Sequence, residues 1–155
     1  MHPYLAILEV ANFWIQAAFT AAVSAYAITR GGDGPRGAAV VNLIGWSVGW
    51  AANYLMKLGG PQLLVICAAD ALVAAGFLYF AVRYNSLWLA VGVIAQGVQL
   101  ALDYITLIEW HGLGLPARVL WNVALNGLTD VIQISVLGAA IAGRRRLALH
   151  GAVRV

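Results

Sequence analysis

Apolar residues run along this chain in five blocks of about 20, the length an α-helix needs to cross about 30 Å of hydrocarbon at 1.5 Å per residue. The blocks cover Tyr4 to Thr29, Ala38 to Met56, Gln62 to Val82, Leu87 to Trp110 and Ala117 to Ala142. Between them stand "RGGDGPRG", "KLGGP", "RYNS" and "HGLGLP", rich in the Gly, Pro, Asn and charge that stop helices. The pattern predicts an all-α polytopic membrane protein, with five transmembrane helices in a short-looped up-and-down bundle. Residues 1–142 form a single transmembrane domain, and residues 143–155 a short basic tail too small to fold alone. No internal repeat is visible, and an odd number of spans does not suit a simple inverted pair.

The apolar blocks are not uniformly apolar. In span five, Asn122, Asn126, Thr129, Asp130 and Gln133 fall within an arc of about 100° on a helix. Span four places Gln96, Gln99 and Asp103 within about 60°. Span one carries Glu9, Asn12, Gln16, Thr20 and Ser24 three or four residues apart, and span two carries Asn42, Gly49 and Asn53 near one face. Span three adds Asp70 alone. Faces of this kind are expected to meet inside a bundle, where polar groups satisfy one another away from lipid.

Composition agrees with a bilayer setting. The chain of 155 residues is 63% hydrophobic and only 10% charged, where a soluble domain has about a quarter of its residues charged. Its 9 basic residues lie apart in short loops, so the net charge of +3 makes no patch for nucleic acid. Arg30, Arg36, Arg83, Arg144, Arg145, Arg146 and Arg154 fall on one side and only Lys57 and Arg118 on the other. That asymmetry puts the N-terminus outside and the C-terminus in the cytoplasm, in a multi-pass protein of the cell membrane, the inner membrane in a bacterium. A secretory leader ending at Ala25-Tyr26-Ala27 is disfavoured, because the opening residues lack a basic region and cleavage would invert every later loop against the Arg bias.

The carboxyls carry the candidate chemistry. An ionised Asp at a helix centre costs about 2.5–3.5 kcal/mol on insertion scales, and every Lys and Arg here lies at a span end. Asp70, Asp103 and Asp130 must therefore be protonated, bound to a cation, or held by neutral donors. Counted from the outer ends of the spans, Glu9, Asp70 with Asp103, and then Asp130 form a descending series. The expected site is a carboxyl-bearing, amide-lined interior binding or transporting a proton, a cation or a small polar molecule. Its ligand-binding residues are Asp70, Asp103, Asp130, Gln96, Gln99, Asn122, Asn126, Gln133 and Glu9. The bland reading of the amides is helix-to-helix glue at about 0.6 kcal/mol per bond.

Other features change this picture little. No catalytic residue and no cofactor is assigned: GxSxG, HExxH and P-loop patterns are absent, and the single Cys67 forms no CxxC. A lipid-modifying enzyme using Asp70 and Asp103 as an acid–base pair would need both carboxyls close to a headgroup. His2, Glu9, Glu109 and His111 share the outer rim, a weak pattern for a divalent metal. His2, His111 and His150 all lie at ends or loops and do not suggest haem. Gly45 and Gly49 form a GxxxG that suits close packing within the chain first, and a homo-oligomer or membrane-complex partner second. Trp14, Trp46 and Trp50 lie at mid-depth, where packing is favoured over an aromatic pocket. The alternative function is an accessory or scaffold subunit, in which the polar faces dock on a larger complex. In length, helix count and Trp content the chain resembles the translocator-protein (tryptophan-rich sensory) family. "RGGDGPRG" has neither that family's Pro- and Trp-rich first loop nor its paired Pro, so no ligand or residue role is implied.

Overall fold

The computed structural model describes the backbone of residues 3–56, 60–109 and 115–152, and the side chains of residues 11–56, 61–108 and 123–146. The chain forms α1 (Pro3–Arg30), α2 (Asp33–Leu55), α3 (Gly60–Arg83), α4 (Leu87–Glu109) and α5 (Leu115–Ala152). Among the described residues, three segments are long and apolar enough to cross a membrane: Pro61–Arg83, Leu87–Ile108 and Val123–Arg146. Side chains of Leu72, Val82, Ile94, Ile108 and Ile134 stand exposed on the outside of the bundle, while Gln96, Gln133, Thr20 and Ser24 are buried. Polar inside and apolar outside suits a hydrocarbon surround.

Helix ends follow local chemistry. The stretch "RGGDGPRG", expected as a joint, contracts to Gly31 and Gly32, because α2 already begins at Asp33. Pro35 tolerates the first turn, where no intrahelical acceptor is needed, and Asp33 complements the positive end of the helix. Across this turn the Arg36 Nε–H donates to the Ile28 carbonyl at 3.0 Å, satisfying a C-terminal carbonyl of α1. The turn between α3 and α4 is a Schellman cap. The Ser86 N–H donates to the Ala81 carbonyl at 3.1 Å, the Asn85 N–H to Val82 at 3.4 Å, and Asn85 takes a left-handed φ of 45°. Helix α5 does not end at Ala142 but continues through Arg144–Arg146 to Ala152. Its 38 residues span roughly 57 Å, well beyond the hydrocarbon thickness.

Each helix packs on its neighbours in chain order, α5 closes back on α1, and α2 touches α5 across the ring. The apolar core includes Ala27, Ala38, Ala39, Phe77, Leu89, Val136, Ala139 and Ala140, all at the end of the bundle that bears Arg30, Arg36 and Arg83. Small side chains bring the backbones together there. Gly45 on α2 lies against Val73 of α3, where a Cβ would collide with the Val73 side chain, whereas Gly49 faces open space. Gly45 thus serves packing within the chain. Next to it a groove of about 420 Å³, lined by apolar side chains such as Ile44, Val48, Val65 and Leu72, runs between α2 and α3. On the other side of α2, Phe13 of α1 stacks with Trp46 and Trp50, at ring-centroid distances of 6.1 and 5.8 Å. These two Trp pack helix against helix, while Trp14 is 65% exposed.

The contrast between the two glycines is testable. Gly45→Val is expected to destabilise the purified protein by about 1–3 kcal/mol through overpacking, and Gly49→Val to be near neutral. Thermal unfolding in detergent reads both.

Candidate functional site

Asp70 sits midway along α3, about 15 Å from its start at Gly60, and Asp103 about 9 Å from the end of α4 at Glu109. Since α3 and α4 are antiparallel neighbours, both carboxyls approach from the same end of the bundle. The stripe of α4 at three- and four-residue spacing turns toward α3. The Gln96 side-chain N–H₂ donates to Asp70 Oδ1 at 3.0 Å and reaches the Asp70 carbonyl at 3.4 Å, and Gln99 donates to Asp70 Oδ2 at 3.2 Å. Both carboxyl oxygens of Asp70 therefore hold neutral amide donors. Asp103, one turn beyond Gln99 on the same face of α4, lies close to the Asp70 carboxyl.

Two carboxyl groups can hydrogen-bond only if one oxygen carries a proton, since ionised carboxylates are acceptors alone. Asp103 is 7% exposed, and its Oδ2 has no partner among the described residues. The Gln99 Oε1 is likewise buried and unpartnered. Cys67 lies one helical turn before Asp70 on the same face of α3. The arrangement is a buried carboxyl, Asp103, beside a half-buried one, Asp70, that two amides hold, a grouping able to take up or release a proton. Sequence reasoning set Cys67 aside. Its spacing of three from Asp70 was the available signal, since that spacing puts both on one face.

Asp130 belongs to a different helix pair. Its Oδ1 accepts a hydrogen bond from Gln16 Nε2 of α1 at 2.9 Å. Gln133, one turn further along α5, is fully buried, and neither its Nε2 nor its Oε1 has a partner among the described residues. Asn126 is exposed, as is Asn12 on α1. A third polar pair, Gln62 Nε2 to Asn53 Oδ1 at 2.6 Å, clamps the start of α3 to the end of α2. The side chains of Glu9, Asn122, Glu109 and Arg118, together with His2, Lys57 and His111, lie outside the described residues. Among the described residues, no three His, Cys, Asp or Glu side chains are grouped to hold a metal ion. The expected series thus resolves into Asp70 with Asp103, Gln96 and Gln99 between α3 and α4, and Asp130 with Gln16 between α1 and α5.

Comparison with protein-family profiles, with curated proteins and with solved structures found no match to this chain.

Replacing Gln96 by Leu strips Asp70 of the shorter of its two amide donors and leaves one oxygen of a half-buried carboxyl without it. The cost is expected at about 1 kcal/mol, the lower end of the penalty for an unsatisfied buried group. That exceeds the roughly 0.6 kcal/mol of an average intramembrane hydrogen bond. Thermal unfolding of Gln96→Leu beside Leu100→Ala, a change outside the carboxyl group, measures it.

Proposed function

We propose that this is a five-span integral membrane protein, N-terminus outside and C-terminus cytoplasmic, whose Asp70–Asp103 pair takes up and releases a proton from the outer side. The observation that carries the reading is the buried Asp103 carboxyl on the α4 face whose Gln96 and Gln99 hold Asp70, with every Lys and Arg at an end of an apolar block of the sequence. Intramembrane carboxyls without a basic mate mark proton and ion pathways, because their charge is tolerable only while something neutralises it. Structural glue is ordinarily made by amides and hydroxyls, which carry no ionisation cost.

Two further observations support the five spans and their direction. Helices α1 and α2 complete the same ring as the three strongly apolar helices, so they occupy the same depth. The connections at Gly31–Gly32 and Tyr84–Ser86 sit at one end with Arg30, Arg36 and Arg83, the end that the positive-inside rule assigns to the cytoplasm. The apolar core also fills that end, which leaves the carboxyl pair nearer the opposite face. In the mechanism that follows, a proton entering from outside binds Asp103 Oδ2 or the oxygen shared with Asp70. Gln96 and Gln99 hold Asp70 in place by donating to it in either state. Gln99 Oε1 is free to accept from a protonated carboxyl.

Reconstituted into vesicles with an internal pH-sensitive dye, the wild-type chain is expected to bind or pass protons when an outward-facing pH step is applied. Asp103→Asn should abolish that response while leaving helix content and melting unchanged. An unaltered response in Asp70→Asn and Asp103→Asn would remove the proposal. Orientation has its own check: a Cys placed at Gly32 should react with a membrane-impermeant maleimide only after the cells are opened.

A further inference from the structure

We infer that the α1–α2–α5 side of the bundle holds a second site, separate from the Asp70–Asp103 pair, that binds a monovalent metal cation with Asp130 as its charged ligand. The hydrogen bond from Gln16 to Asp130 fixes the register of two helices that run in the same direction, so positions 114 apart are level. One turn deeper, Thr20 comes level with Ile134 and hence beside Gln133. Phe13, stacked between Trp46 and Trp50, fixes α1 against the antiparallel α2 and brings Asn42 to the depth of Thr20. These three helices touch one another pairwise, and the register puts Thr20, Asn42 and Gln133 at about the same depth, within a turn of Asp130.

That layer is rich in buried atoms that lack partners. Thr20 and Gln133 are both 0% exposed, and Asn42 is 6% exposed. Thr20 Oγ1, Gln133 Oε1 and the Gln16 Oε1 above them have no hydrogen-bond partner among the described residues, nor do Gln133 Nε2 and Asn42 Nδ2. Buried polar groups are almost always hydrogen-bonded or otherwise satisfied, so a guest that satisfies these is favoured. The carboxylate of Asp130 with amide and hydroxyl oxygens is the donor set of a hard cation, and none of the ligands is the imidazole or thiolate that transition metals favour. One negative charge matches one positive charge. A divalent ion would leave an uncompensated charge in a low-dielectric interior. The amide N–H groups of Gln133 and Asn42 suit a water that completes the ion's shell.

The same register supplies a way in. Asn12 and Asn126 are also 114 apart, one turn above Gln16 and Asp130 toward the outer end, and both are exposed. They give the α1–α5 seam a polar mouth. The site shares no residue with the proton pair, so it stands or falls independently of that reading.

The test uses the full chain in detergent, with sodium chloride against choline chloride at equal ionic strength, read by thermal unfolding and by sodium-23 line broadening. Wild type should show saturable stabilisation and broadening specific to sodium. Asp130→Asn should lose both, and Thr20→Val, which keeps its shape, should weaken apparent sodium affinity at least tenfold. Asp103→Asn should leave sodium binding unchanged even as the proton response disappears. Identical behaviour of wild type in the two salts would overturn the site, as would wild-type sodium affinity in folded Thr20→Val.

Discussion

Within hydrocarbon a polar group has no water to turn to, so it must find its partner inside the protein, and the three helices long and apolar enough to cross a membrane are arranged largely as that requirement would have them. Apolar side chains such as Leu72, Val82 and Ile94 cost nothing against lipid and stand outside. Gln96, Asp103, Gln133 and Thr20 are buried, Gln96 against Asp70. Asp70 shows the requirement met in full, with a donor on each carboxyl oxygen and a second carboxyl alongside. Asp130 shows it met on one oxygen by Gln16, with orphaned groups next to it.

The contact between α2 and α5 across the ring turns one expected interior into two. On one side α3 and α4 hold the carboxyl pair; on the other α1 closes against α5 around Asp130. Both centres lie above an apolar end packed with Ala38, Ala39, Ala139 and Ala140. This division suits two guests of different kinds. A pair of carboxyls retains a proton well, because two oxygens share it, while a single carboxylate among neutral oxygens suits a monovalent ion.

Much of the fold is written in the spacing of residues. Helix borders deduced from Gly, Pro and charge agree with the structure to within a few residues at α3 and α4. The start of α2 was placed late because Asp33, Gly34 and Pro35 look like loop residues, although Pro and Asp both belong comfortably in a first helical turn. The stripe of Gln96, Gln99 and Asp103 was legible, as was its inward aim. Which stripe meets which was not, since periodicity gives an angle around one helix and says nothing of the neighbour that covers it. Asn126 makes the point. It shares the arc of Asp130, yet it is exposed, and its level on α1 carries the equally exposed Asn12. Pairing depends on the packing order of the helices, which small residues at distant positions decide.

The alanine-packed end has a mechanical meaning. Ala27, Ala38, Ala39, Ala139 and Ala140 let the backbones approach, and large rings fill what space remains: Phe80 lies over Gly37, Phe77 over Gly92 and Trp88 over Gly138. A ring of one helix seated on a glycine of the next works as a key in a slot. Sliding one helix past its neighbour would have to unseat it, so this end acts as the lock that keeps the helices in register.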